Sequence, residues 1–171
     1  MYFVSTNSSD LDSDPTITLL DEPEHPGALK LWNYWLEKRG DKRVPDRSDI
    51  GLTDLSDIAP NLLITEVVEG TTDFRIRLYG SAVAEITGQD RTGKMVSEVG
   101  EDLGGDTQNR WRAVTARAAE NMAPVILKAR GSRPETEHLM FHSVTLPLTN
   151  GSEEITQYLG GMFTSYLSEE A

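Results

Sequence analysis

The chain has 171 residues, 37% of them hydrophobic, which suits a single domain with one ordinary core. It contains no cysteine, so disulfides, thiolate metal sites, iron–sulfur clusters and cysteine nucleophiles are excluded together. A net charge of −12 would repel a phosphate backbone, which argues against sequence-independent nucleic-acid binding, and no apolar run approaches the roughly 18 residues of a membrane span.

The first stretch, "MYFVSTNSSDLDSD", has neither the basic region nor the apolar region of a signal peptide, so a cytoplasmic protein is expected. Residues 1–26 carry Asp10, Asp12, Asp14, Asp21, Glu22 and Glu24 without a single Lys or Arg. Poor in large apolar residues as well, this segment reads as a disordered acidic tail. Residues 27–60 then read as a helical extension and 61–167 as the main domain. In "ALKLWNYWLEKRG", Leu29, Trp32 and Leu36 form one apolar seam, Leu31 and Trp35 a second, and Gly40 a stop. Two seams on one helix exceed what a single small contact needs: both can pack into the core, or one of them can meet a partner chain. The turn-rich stretch 44–61 has room for a short helix from Thr53, as N-cap, to Ile58, before Pro60.

Residues 62–69 are a β-rich run, and 74–80, "FRIRLYG", alternate: Phe74, Ile76 and Leu78 on one face, Arg75, Arg77 and Tyr79 on the other. The short loop between them predicts an antiparallel hairpin. "SAVAEITG" is a short helical turn with Ser81 at its start and Gly88 at its end, and "RTGKMVSEV" and "GEDLGG" read as irregular. The longest helix runs from an Asp106 cap to Pro124, with Trp111, Val114 and Ala118 on its apolar face. Three strands follow, at 125–131, 138–148 and 155–167. Asn150-Gly151 marks a hairpin, and Gly160-Gly161 marks a bulge or a close approach to the backbone. Consecutive strands on short loops pair antiparallel, and helices must cover a face of their sheet, which makes a two-layer α+β domain.

"GQDRTGKM", residues 88–95, shares the punctuation of a phosphate-binding P-loop, G-x-x-x-x-G-K-[ST]. Met95 stands where a magnesium-binding hydroxyl belongs, a helical turn rather than a buried parallel strand precedes it, and the sheet is antiparallel. The stretch is therefore read as two glycines ending short turns, with Lys94 in solvent.

"FRIRLYGSAVAEITGQDRTGKMVSEV", in this element order, resembles a PAS domain. Taken with "LWNYWLEKRGDKRVPDRSDI", it resembles the small single-domain bacterial PAS proteins of alphaproteobacteria, over roughly residues 29–166. The resemblance implies an α+β fold with a five-stranded antiparallel sheet in the order 2-1-5-4-3, helices on one face, and an N-terminal helix extension. It also implies a sensory or regulatory module rather than an enzyme, a ligand pocket between sheet and helices, and a homodimer formed through the N-terminal helix. Pocket residues are then expected at Ile76, Leu78, Trp111, Met140 and His142, and dimer contacts at Leu31, Trp32 and Trp35. If that helix packs on the sheet's outer face, Arg77 becomes half-buried and needs a partner.

The cofactor stays open. Flavin photochemistry of the light–oxygen–voltage type needs a cysteine, and haem held by a histidine of the long helix fails because that helix has none. His138 and His142, on one strand, would lie about 13 Å apart, too far for one metal ion. A pocket enzyme of isomerase or hydratase type, built on Tyr79, Tyr158, His142 and Glu85, is the alternative, as is a ligand-free adaptor. No output domain is read after residue 167, so a separate signalling protein is expected as partner, with no nucleic acid and no membrane.

Overall fold

The computed structural model describes residues 10–103 and 107–167. Its elements are α1 (Asp10–Ser13), β1 (Ile17–Leu20), α2 (Pro26–Arg39), β2 (Leu62–Val67), β3 (Phe74–Tyr79), α3 (Ser81–Thr87), α4 (Val96–Leu103), α5 (Thr107–Asn121), β4 (Val125–Arg130), β5 (Leu139–Thr149) and β6 (Ile155–Tyr166). Three 3₁₀ turns lie between α2 and β2. All strand pairs are antiparallel, in one sheet ordered β1-β4-β5-β6-β2-β3. Numbered from β2, the last five strands have the expected order 2-1-5-4-3.

The sixth strand corrects the reading of a disordered tail for residues 10–26; residues 1–9 lie outside the described residues. Ile17–Leu20 pairs with β4, from Ile17 opposite Ala129 to Leu20 opposite Ile126, and Leu11 is buried in the core. The acids beside it are counter-charges. Asp12 meets Arg117 at 2.6 Å and Asp14 meets Arg110 at 3.3 Å, both on α5. Averaging charge over the whole segment hid a four-residue apolar stretch and the arginines waiting for its acids.

Both faces of the sheet are covered. On the outer face α2 packs on β5 and β6. His25 starts this helix, its Nδ1 accepting the Gly27 N–H at 3.0 Å, and Pro26 fits the first turn, where no N–H is needed. Ala28, Leu31 and Trp35 meet Val144, Leu146, Leu148, Leu159 and Phe163 of the sheet. The Trp35 indole donates to Pro147 O at 2.9 Å within this core. Gly161 is what lets α2 come so close, because a Cβ there would sit 2.7 Å from Leu31 Cδ2. The close approach expected of the glycine pair is therefore at Gly161. The expected helix from Thr53 to Ile58 is replaced by 3₁₀ turns: Thr53 lies inside Leu52–Leu55, which starts from Gly51.

The inner face carries α3, α4 and α5, and a second core forms there around Ile76, Val83, Val99, Ala113 and Ala118. The residues read as irregular around Gly100 are the amphipathic helix α4. The Asp106 cap lies outside the described residues. Gly88 ends α3 in the left-handed conformation, φ 103°. The next loop closes on β3: Gly93 N donates to Ile76 O at 2.7 Å, and Ile76 N donates to Lys94 O at 2.9 Å. Lys94 is exposed, as expected, and Arg91 is buried, pinning Thr87 O at the end of α3. "GQDRTGKM" is thus a helix stop joined to a sheet-edge clasp. No helix among the described residues is long and apolar enough to cross a membrane.

Candidate functional site

A cavity of about 260 Å³ lies between the inner face of the sheet and α3, α4 and α5. That is close to the small end of the usual ligand-pocket range of about 300–1,000 Å³. Helix α5 presents Thr107, Arg110, Trp111 and Val114 to it, the i, i+3, i+4, i+7 spacing of one helix face. Ile86 and Thr87 of α3, and Val99 and Leu103 of α4, close the second side, with the 131–136 loop at the end. Leu127, Phe141 and Met162 add apolar wall.

The sheet floor is different in kind. Leu63, Thr65, Ser143, Thr145, Tyr158 and Gly160 contribute to it. Thr65 lies opposite Tyr158, and Gly160 lies between Leu63 and Thr145. A Cβ on Gly160 would make only ordinary contacts, the nearest at 3.6 Å, so its missing side chain leaves a recess in the floor. Thr65 and Tyr158 are 3% and 5% exposed, and neither hydroxyl has a hydrogen-bond partner among the described residues. Burial pushes the Tyr158 phenol up to about 12, so it is neutral at any physiological pH and able to donate as well as accept. Tyr79, by contrast, is committed. Its hydroxyl lies 2.6 Å from Thr87 Oγ1, which donates to Val83 O and accepts from Arg91.

Charge is confined to the rim. Among the described residues no Asp, Glu or Lys lines the cavity. Arg110 is held by Asp14 and Thr16, and Arg133 by Glu135 at 3.2 Å and by Ile86 O at 3.1 Å.

A family model described as PAS domain matches residues 23–163. The chain belongs to the PAS family. This PAS match includes α2, the 3₁₀ stretch and strands β2 to β6 up to residue 163, and leaves out β1. Among solved structures, one titled "Structure of an RNA-binding Light-Oxygen-Voltage Receptor" is similar, at 18% identity and a TM-score of 0.45. The likeness covers 70% of this chain and 35% of that one, so the PAS chain spans about a third of that receptor. No curated protein matches.

Of the five pocket residues expected of a PAS domain, Trp111 lines the cavity and the other four do not. Ile76 is inner-face core, packed beneath the helices. Leu78 packs with the outer core because the β2–β3 register skips a residue. Leu78 opposes Ile64 and Ile76 opposes Thr65, so Arg77 bulges and the alternation reverses, bringing Tyr79 to the inner face. Met140 and His142 share the parity of Val144, Leu146 and Leu148, which face α2, and it is Phe141, Ser143 and Thr145 that line the cavity. His142 bonds Ser165 Oγ at 2.9 Å and sits 5.3 Å from the ring of His25 at the base of α2.

The proposed dimer residues need the same correction. Leu31 and Trp35 are fully buried against their own sheet, and Trp32 is half-buried beside them. Arg77 stays exposed, pairing with Glu66 at 2.6 Å, since α2 covers β5 and β6 rather than β3. Of the groups considered for catalysis, Tyr79 and Tyr158 meet in the cavity, His142 faces the opposite side of the sheet, and Glu85 is exposed on α3. The residues missed in the sequence, Thr65, Ser143, Thr145 and Gly160, are small or polar positions alternating with apolar ones. That pattern reads as a solvated face unless a helix is known to cover it.

Proposed function

We propose that the protein is a cytoplasmic sensory or regulatory module that binds a small molecule in the inner-face cavity and reports its occupancy to a partner protein or a second copy of itself. The observation that carries this reading is the floor of that cavity. Thr65 and Tyr158, whose hydroxyls have no hydrogen-bond partner among the described residues, line that floor beside a recess at Gly160. A ligand that displaces water from the cavity buries these two hydroxyls, and buried polar groups are nearly always hydrogen-bonded, so the floor favours a ligand that supplies a hydrogen-bonding group.

Transmission runs through α5. This helix walls the cavity with Trp111 and Val114, and it holds the N-terminal segment through the Arg110–Asp14 and Arg117–Asp12 pairs. A ligand that favours one position of α5 shifts the population of docked and released N-terminal segments. α2, buried on the far side of the sheet, serves as scaffold in this scheme.

Native mass spectrometry of the protein isolated from its source tests the reading, with hydrogen exchange read at Ile17–Leu20. A stoichiometric small molecule, whose removal changes exchange in that strand, is expected. A ligand-free mass from every preparation, with exchange in the strand insensitive to candidate metabolites, would leave a ligand-free adaptor instead. Light scattering on the intact chain decides between a second copy and a different partner.

A further inference from the structure

We infer that the ligand of this cavity enters with an uncharged hydrogen-bonding group first, a carbonyl, amide or hydroxyl carried on a flat apolar body, and that Thr65 and Tyr158 bind that group. The inference rests on the reading of the cavity as a ligand site and specifies what that site selects.

The geometry points to one pair of residues. Thr65 on β2 and Tyr158 on β6 are direct cross-strand partners, so their side chains rise from the sheet as neighbours, with Cβ atoms about 5 Å apart. Both are more than nine-tenths buried, both line the cavity, and neither hydroxyl is bonded to the protein among the described residues. Each hydroxyl can donate one proton and accept, so together they suit a group that accepts, donates or does both.

A charged group is selected against at this end. No Lys, Arg or His is part of the floor, and an ionised group buried without a counter-ion is strongly disfavoured. Of the three rim arginines that reach the cavity, Arg110 is held by Asp14 and Arg133 by Glu135, while Arg130 is exposed at the end of β4, away from the floor. A purely apolar ligand is selected against as well, since it would leave two buried hydroxyls unbonded. The remaining walls suit a ring system: Trp111, Phe141, Leu127 and Met162 flank the space, and Gly160 leaves room over the sheet.

The test uses three probes of one shape, 2-naphthamide, 2-naphthoate and 2-methylnaphthalene, titrated calorimetrically into the full chain, the Thr65→Val and Tyr158→Phe variants, and Gly160→Val. The amide is expected to bind at least tenfold more tightly than the other two. It should lose that margin in Thr65→Val and Tyr158→Phe, while 2-methylnaphthalene binds those variants as well as before. Gly160→Val should exclude all three. Naphthoate binding as tightly as the amide would overturn the selection against charge, and methylnaphthalene doing so would overturn the role of the hydroxyls. Either outcome leaves the cavity itself as a binding site. If none of the three binds the unaltered chain, the inference falls and the reading of the cavity falls with it. A melting temperature unchanged in Thr65→Val and Tyr158→Phe shows that any loss of binding is not a loss of fold.

Discussion

The two faces of the sheet are made from the same strands and solve opposite problems. Against α2 the sheet presents Val144, Leu146, Leu148, Leu159 and Phe163, and Leu31 and Trp35 fill the space above them completely. Against α3, α4 and α5 the alternate residues of those strands are Ser143, Thr145, Tyr158 and Gly160, and a cavity remains. The outer face is therefore tightly packed, while the inner face leaves space beside open hydroxyls. Close packing and the cavity are divided between alternate positions of each strand.

That division can be broken at its strong side first. Trp35→Ala removes a fully buried indole and its bond to Pro147 O, and urea unfolding should show a loss of about 3–5 kcal/mol. A loss near zero would mean that α2 is not part of the cooperative core. The adjacent glycines sharpen the contrast. Gly161→Val drives a side chain into Leu31 and should cost about 1–3 kcal/mol by the same measurement. Gly160→Val, one residue away and facing the cavity, should change stability by less than about 1 kcal/mol in either direction, because its new methyls enter open space. Equal costs at the two positions would show that the faces are not packed differently.

A smaller effect belongs to the base of α2. Burial, and then the nearby His142, lower the pKa of His25 from its ordinary 6.5, and its neutral Nδ1 is what accepts the Gly27 N–H. The folded state then binds fewer protons than the unfolded chain just below pH 6.5. Stability is complete above that pH and declines as pH falls toward the folded-state value. Urea midpoints should accordingly be lower at pH 5.5 than at pH 7.5, with the difference reduced in His25→Asn, which keeps a capping side chain. An unaltered pH dependence in that variant would assign the effect elsewhere. The smallest change is expected for Tyr158→Phe, which deletes a hydroxyl without a hydrogen-bond partner among the described residues and should leave the melting temperature where it was.

The same division explains what could be read in the sequence. Element types were legible because glycines, prolines and apolar periods mark them locally: Gly40 ends α2, Gly88 ends α3, and Asn150-Gly151 turns β5 into β6, whereas the strand order came only with the PAS resemblance. The PAS fold followed from their order. Site residues were harder to place for a physical reason. Met140 and His142 are expected at the pocket from the PAS resemblance, but they share the parity of Val144, Leu146 and Leu148, and the most apolar face of β5 is the one that packs most tightly. At β3 a one-residue bulge sent Leu78 to the wrong side, and no local signal in "FRIRLYG" announces it. The strand Ile17–Leu20 was hidden because its pairing partner, β4, lies more than a hundred residues away.

That strand has a further consequence for how the protein can assemble. β3 ends the sheet on one side with its backbone already bonded to Gly93 and Lys94, and β1 occupies the side of β4 that would otherwise be open. The 93–94 loop thus covers the middle of the β3 edge at Ile76, and the other edge is reduced to the four residues of β1, a short template for a foreign strand. A chain trimmed to residue 21 for convenience would expose the six-residue rim of β4, rich in Val, Ile and Leu, and would be prone to stack into ribbons.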